Sequence, residues 1–328
     1  MEKQDNAKNT RLEYVDLAKG IMILLVVAGH IIQEYCAMAE QEPIHAFIYS
    51  FHMPLFFLLS GYVMGITQPK LMSQSFWKWL LHKMETLLIP FVVWRLLVYR
   101  FIDPTVSSSL DIDAFVNLVD GSKDGGAWFL LALLVIEVVS YPVYRFNKLW
   151  AWLIPICYLV AVNVIGAPWV YSNPYHIICF LAGYLMFKNK DFLLRPEVAT
   201  IAVLCFILSE LFYPNPLLLT LPAGVALLYV CKQIQSGGGN SYLLQNKLSA
   251  IGQNTLAIYL LHTIIVFTGE NKHIDISSFH RLTPVLLLTL FISFVVALIC
   301  VGMAKIIAYF PMLNFLLFGK KTMLKQNN

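Results

Sequence analysis

Five ionisable side chains interrupt runs of apolar residues: His30, His52, Arg95, Glu137 and His262. A charge at the centre of a bilayer costs about 3 kcal/mol on insertion scales, so such groups turn into a bundle interior and mark proton handling, ion pairing or transport. Histidine is the side chain whose ordinary pKa suits a general base near neutrality. His30 has two companions of interest, Lys19 eleven residues before it and Glu34 four residues after it. On a helix the i, i+4 spacing puts Glu34 on the face of His30, where a carboxylate could hold the imidazole in one tautomer. The competing reading leaves Glu34 to the wetted end of the helix. Lys19 lies about 16 Å back along the axis at 1.5 Å per residue. Both it and Asp16 then sit near an inner interface, where snorkelling alone explains them. Each buried group also has a structural reading. A lone histidine can bond one helix to another, and Arg95 and Glu137 can neutralise each other.

The elements that carry these residues must be membrane spans. The chain has 328 residues, 59% hydrophobic and 13% charged, with a mean hydropathy of +0.69. A soluble protein has about 25% charged residues, so this chain could not clothe a wetted surface. The same numbers exclude disordered, collagen-like, disulfide-scaffold and nucleic-acid-binding classes. A span needs about 20 mainly apolar residues. The sequence offers ten, near Leu17–Tyr35, Ile44–Ile66, Leu80–Ile102, Ala127–Tyr144, Leu149–Gly166, Tyr171–Phe187, Val198–Tyr213, Pro216–Cys231, Ser249–Gly269 and Pro284–Phe310. Assigning both termini to the cytoplasm puts seventeen of the Lys and Arg residues in inner segments. Only Lys123, Lys272 and Arg281 fall in outer loops, a positive-inside bias. The expected fold is an all-α integral membrane protein, about ten helices in one bundle over residues 1–328. A short cytoplasmic segment (1–16) would precede it, and a basic cytoplasmic tail (311–328) would end it. The five ionisable groups then lie at similar depth on five helices.

Smaller features fit this picture. The six cysteines are widely spaced inside apolar runs and suggest neither a disulfide framework nor a metal site. Gly61 and Gly65 form a small-xxx-small pair for close helix packing. Thr10 and Glu13 have capping-box spacing ahead of the first span. Gly237–Gly239 reads as a flexible inner linker, with no GK[ST] following it.

Four segments resemble the acyltransferase-3 family of integral membrane acyltransferases, especially its fucose 4-O-acetylase-like branch. They are Tyr14–His30 (YVDLAKGIMILLVVAGH), Phe51–Tyr62 (FHMPLFFLLSGY), Ala127–Leu133 (AWFLLAL) and Ile251–His262 (IGQNTLAIYLLH), in the family's order. Two departures stand out. The basic position of the first helix is usually Arg and is Lys19 here, which keeps charge but loses two-pronged recognition. An Arg-x-x-Arg motif common at the start of the third helix is absent, and Lys78, His82 and Lys83 are the local cations that could stand in for it.

The resemblance implies transfer of an acyl group, usually acetyl from acetyl-CoA, to a hydroxyl of an envelope glycan or lipid-linked saccharide at a bacterial inner membrane. It implies no metal. On that reading His30 is the base, with Glu34 and His52 beside it. Lys19, Lys83, Lys78 and Asp16 form the donor site. Arg95, Trp128, Glu137, Tyr259 and His262 face the substrates, with Arg95, Trp128 or Tyr259 able to stabilise the thioester oxygen. The lipid bilayer is the fixed partner, a homo-oligomer is compatible with the sequence, and nucleic acid is not expected. The alternative is a proton-coupled secondary transporter or a glycan flippase using the same His, Arg and Glu cluster.

Overall fold

A computed structural model describes residues 12–35, 43–95, 127–167, 171, 173–213, 215–237, 242–267 and 282–320. These residues are helical throughout, with no strand among them. In chain order the helices are α1 (Glu13–Tyr35), α2 (Pro43–Met72), α3 (Phe76–Lys83), a π-helical turn (Met84–Leu88), α4 (Ile89–Val93) and α5 (Trp128–Phe146). Then come a 3-10 turn (Leu149–Trp152), α6 (Leu153–Val164), α7 (Pro174–Lys188), α8 (Lys190–Leu193), α9 (Pro196–Phe212) and α10 (Pro216–Ser236). The last four are α11 (Tyr242–Gln253), α12 (Thr255–Phe267), α13 (Leu282–Ile307) and α14 (Pro311–Phe318).

Local chemistry sets many of these boundaries. α7, α9, α10 and α14 begin on proline, whose missing N–H costs nothing at the first helical position. Asn173 and Asn215 precede two of them, and each side-chain oxygen accepts a backbone N–H at 3.0 Å. α5 stops at Asn147, which takes the left-handed conformation at φ 50°.

α1 is the axis of the bundle. It packs against α2, α10, α11, α12 and α13, and Leu17, Ala18, Ile23, Val27 and Ala28 are fully enclosed. Small residues allow the closest approaches. A Cβ on Gly61 would fall 1.8 Å from the carbonyl oxygen of Phe180, and one on Gly183 1.8 Å from that of Leu58, so α2 and α7 meet backbone to backbone. Gly65 faces Phe187 of the same helix. At the periphery α9 exposes Ile201, Leu204, Leu208 and Leu211, apolar surface suited to lipid.

Five helical stretches among the described residues are long and apolar enough to cross a membrane: Glu13–Tyr35, Pro43–Lys70, Trp128–Phe146, Pro216–Ser236 and Leu286–Ile307. α11 and α12 together would make a sixth, but they are bent by 84°. That bend corrects the expected uninterrupted span over Ser249–Gly269. Asn254 ends α11 by donating its side-chain amide to Ala250 O at 2.9 Å, and α12 restarts from its carbonyl. α7 has 15 residues and α9 has 17, shorter than a straight span. Pro311–Phe318, expected within a basic tail, is a helix packed on α4. Thr10 of the capping box, the end of the third expected span (96–102), Gly238 and Gly239 lie outside the described residues.

Candidate active site

Residues of α1, α2, α3, α5 and α12 surround a cavity of about 300 Å³. Lys19, Lys83, Glu137 and Tyr259 line it, with Ser60, Thr86 and Thr255. Sequence placed the first four on four separate elements, and the fold brings them to one wall. Lys19 Nζ lies 3.1 Å from Asp16 Oδ1, one turn earlier on α1. Lys83 Nζ lies 2.9 Å from Glu137 Oε1 and 2.8 Å from Oε2. Glu137 is thus paired with Lys83, where the structural reading of the sequence offered Arg95. Arg95 is buried on the turn after α4. The segment that lacks Arg-x-x-Arg supplies Lys83 and Thr86 to the cavity, while Lys78 and His82 are exposed and do not line it.

Local irregularity shapes this wall. The π-helical turn begins at Met84, immediately after Lys83, and Pro90 follows it. A proline at that position removes the N–H that Thr86 O would accept in an α-helix. Wide turns of this kind concentrate at functional sites. Opposite, Gly252 sits so close to α1 that a Cβ there would be 1.7 Å from Asp16 O, and Gly20 meets Leu248 O in the same way. This contact sets the broken α11–α12 corner beside Lys19. The first turn of α12, with its partial positive charge and unpaired N–H groups, faces the cavity through Thr255 and Leu256.

Farther out along α1, α2 and α12 lies a cluster of rings. The His30 ring centroid lies 5.2 Å from that of His262 in a tilted contact, and 5.4 Å from Phe267 and 6.3 Å from Tyr49 in edge-on contacts. Tyr49 lies 4.0 Å from His45 and 4.7 Å from His52. His30 Nδ1 is 3.2 Å from Gln33 Oε1, an oxygen that also accepts the Tyr49 hydroxyl at 2.6 Å. The group positioned to orient His30 is therefore Gln33, whereas Glu34 is partly exposed one residue beyond it. His52 and His262 each donate from Nδ1 to the carbonyl one turn back, at 2.9 Å to Ile48 O and Ile258 O. A carbonyl only accepts, so both present Nε2 as a lone pair.

The cavity and the ring cluster are neighbours. Met53 lines the cavity and His52 joins the cluster. Tyr259 lines the cavity and its ring is 6.3 Å from that of His262. Trp128 lies to one side, stacked on His176 at 5.5 Å, with Phe57 on His176 at 4.6 Å. Gln33, His45, Tyr49 and His176 did not emerge from the sequence. A signal existed only for His176, in the Asn173–Pro174 start two residues before it. Among the described residues no group of three or more His, Cys, Asp or Glu is placed to hold a metal.

The profile of one family, described as an acyltransferase domain, matches residues 12–305. The chain belongs to the acyltransferase-3 family. Among curated proteins, this acyltransferase-3 chain is similar to the nodulation protein NolL of Mesorhizobium japonicum, at 28% identity over 187 residues. That alignment covers 53% of this chain and 48% of the relative. It is also similar to NolL of Sinorhizobium fredii, at 27% identity over 223 residues, covering 61% and 58%. The chain thus spans about half the length of these curated relatives. No solved structure matches it. The match takes in both the cavity and the ring cluster of this acyltransferase-3 domain and stops short of α14.

Proposed function

We propose that the protein is a membrane O-acyltransferase that takes acetyl from cytoplasmic acetyl-CoA and passes it to a hydroxyl of an envelope glycan or a lipid-linked saccharide precursor. His30 is the general base. The observation that carries this reading is the junction of two chemically different groups of side chains along α2 and α12, the cavity lining and the ring cluster. One has lysines and a helix N-terminus suited to an anionic thioester. The other has imidazole lone pairs suited to a hydroxyl. In the reaction the hydroxyl oxygen attacks the thioester carbon while His30 Nε2 takes its proton. The carbonyl oxygen gathers charge beside Tyr259, and the C–S bond then breaks to release the thiolate. Ten spans with both termini cytoplasmic, in a bacterial inner membrane, give this order the sidedness it needs. The rhizobial sources of the two relatives support a bacterial setting, and the family match and the apolar helices support membrane residence.

The test is thiol release from acetyl-CoA by protein held in nanodiscs, wild type beside His30→Ala. Release above background that falls by about a hundredfold or more in the variant, the usual scale of a lost general base, is the expected result. A variant with wild-type turnover removes His30 from the base role. Absence of any acetyl-CoA binding by the wild type turns the assignment to the transporter reading.

A further inference from the structure

The cavity has two unlike ends. α2 and α5 run side by side in the same direction: the Phe56 and Phe129 rings lie 6.1 Å apart, and farther along both helices Gln68 donates its side-chain amide to Tyr144 O at 2.7 Å. α2 lines the cavity from Met53 to Val63 and α5 from Phe129 to Glu137, about 15 Å and 12 Å at the rise of a helix. The Lys83–Glu137 ion pair marks one end, on a level with Val63. The lining residues at the other end are uncharged: Met53, Phe56, Phe129 and Tyr259. There the Phe129 ring is edge-on to Tyr259 at 5.7 Å and tilted against Phe57 at 4.8 Å. None of His30, His52 and His262 lines the cavity. Met53 directly follows His52, however, and Tyr259 lies one turn before His262 on α12. The uncharged end is therefore the one that borders the ring cluster.

We propose that Met53 sets the length of acyl group the cavity accepts, and that the donors it takes are short-chain acyl thioesters. This rests on the acyl-transfer reading with its base in the ring cluster. On that reading the thioester carbon must come to the border with the cluster. The acyl tail is then the part of the donor that meets Met53, Phe129 and Tyr259, and the charged end is left to the phosphates. Of the three side chains Met53 is the one that can yield. The two rings pack on each other, and Phe129 also packs on Phe56 and Phe57. Methionine is unbranched and turns easily about its thioether, which makes room for propionyl beside acetyl. A longer tail runs into the enclosed rings beyond, His52 and His262 among them.

The experiment measures thiol release in nanodiscs from acetyl-, propionyl- and butyryl-CoA, with water or an added methyl hexopyranoside as acceptor. The proteins are wild type, Met53→Ala, Met53→Val and Val63→Ala. The readout is the butyryl-to-acetyl ratio of kcat/KM within each preparation, so a partly unfolded variant still reports its selectivity. Wild type should favour acetyl over butyryl by about tenfold or more, with propionyl between them, because a methylene in an apolar pocket is worth about tenfold or more. Met53→Ala should raise the butyryl ratio by about tenfold, and Met53→Val should raise it less. Val63→Ala opens the cavity at its charged end and should leave the ratio within about twofold of wild type. An unchanged ratio in Met53→Ala overturns the role of Met53, as does an equal rise in Val63→Ala or a wild type that uses butyryl as readily as acetyl. A wild type that releases no thiol from any of the three donors overturns the acyl-transfer reading beneath it.

Discussion

Lys83 and Glu137, 54 residues apart in sequence, form a two-pronged ion pair at 2.8 and 2.9 Å on the wall of the cavity. The Glu137 side chain is 6% exposed and that of Lys83 21%, so the lysine is the counter-ion of a carboxylate largely withdrawn from solvent. The pair ties α5 to the end of α3 and holds a cation on the lining of the cavity. Donor phosphates would compete with Glu137 for Lys83.

Removing one partner strands the other. Lys83→Met leaves a buried, uncompensated carboxylate and should cost about 3 kcal/mol or more in stability, read as a lowered Tm in detergent. Lys83→Met/Glu137→Leu replaces both charges with packing groups and should regain most of that Tm. If Lys83 also serves the donor, the acetyl-CoA KM stays raised in the stable double variant. Recovery of both quantities would make the pair purely structural.

Lys19 is held by Asp16 at 3.1 Å and faces the same cavity. Its side chain is 26% exposed but that of Asp16 only 6%, so Lys19→Ala takes a counter-ion from a buried carboxylate and should lower Tm, as Lys83→Met does. Acetyl-CoA affinity, measured by direct titration, should fall several-fold. Unchanged affinity would remove Lys19 from the donor site.

Gly252→Ala tests how tightly the α11–α12 corner is seated. Its Cβ would lie 1.7 Å from Asp16 O and 2.8 Å from Gly20 N, so the corner must move away from α1. Lower Tm and weaker acetyl-CoA binding should appear together. Gly302→Ala is the control, since nothing lies within 4 Å of its Cβ, and it should match wild type in both.

Gly319 follows α14 at φ 63°, and a Cβ there would lie 2.5 Å from Thr86 Cα and 2.6 Å from Glu85 O. Gly319→Ala combines left-handed strain of about 1–2 kcal/mol with a push on the π-helical turn that carries Thr86. The expected outcome is a raised acetyl-CoA KM with kcat little changed. A loss confined to kcat would show that the push travels to His30 rather than to the cavity.

The legible part of this molecule was the chemistry that is rare in lipid. His30, His52, Glu137 and His262 were visible because an ionisable group in an apolar run is costly, and Lys19 because of its spacing from His30. Partnership was not legible. Glu137 was matched to Arg95 by depth, but pairing depends on which helices touch, and α5 meets the turn after Lys83. Glu34 had the right helical spacing for His30, yet Gln33 reaches it because Tyr49 arrives from α2 and organises the amide. His45 and Tyr49 escaped notice because they sit near the N-terminal end of α2, where polar residues are ordinary. The break at Asn254 was hidden by hydropathy that continues across it. Gly252-Gln253-Asn254-Thr255 carried the only signal.

α14 has a consequence for the order of assembly. Trp94 donates its indole N–H to Leu317 O across 223 residues, at 2.9 Å, and Phe318 is buried beside this contact at 2% exposure. The ribosome makes the π-helical turn within the first third of the chain and α14 only after α13. Until α14 is made, the π-helical turn therefore stands without the backing of residues 317–319. Insertion of the spans and completion of the cavity are separate events, and the second waits for residues 317–319. A nascent chain halted at residue 305 would contain every residue of the cavity lining and of the ring cluster and still lack the support behind Thr86.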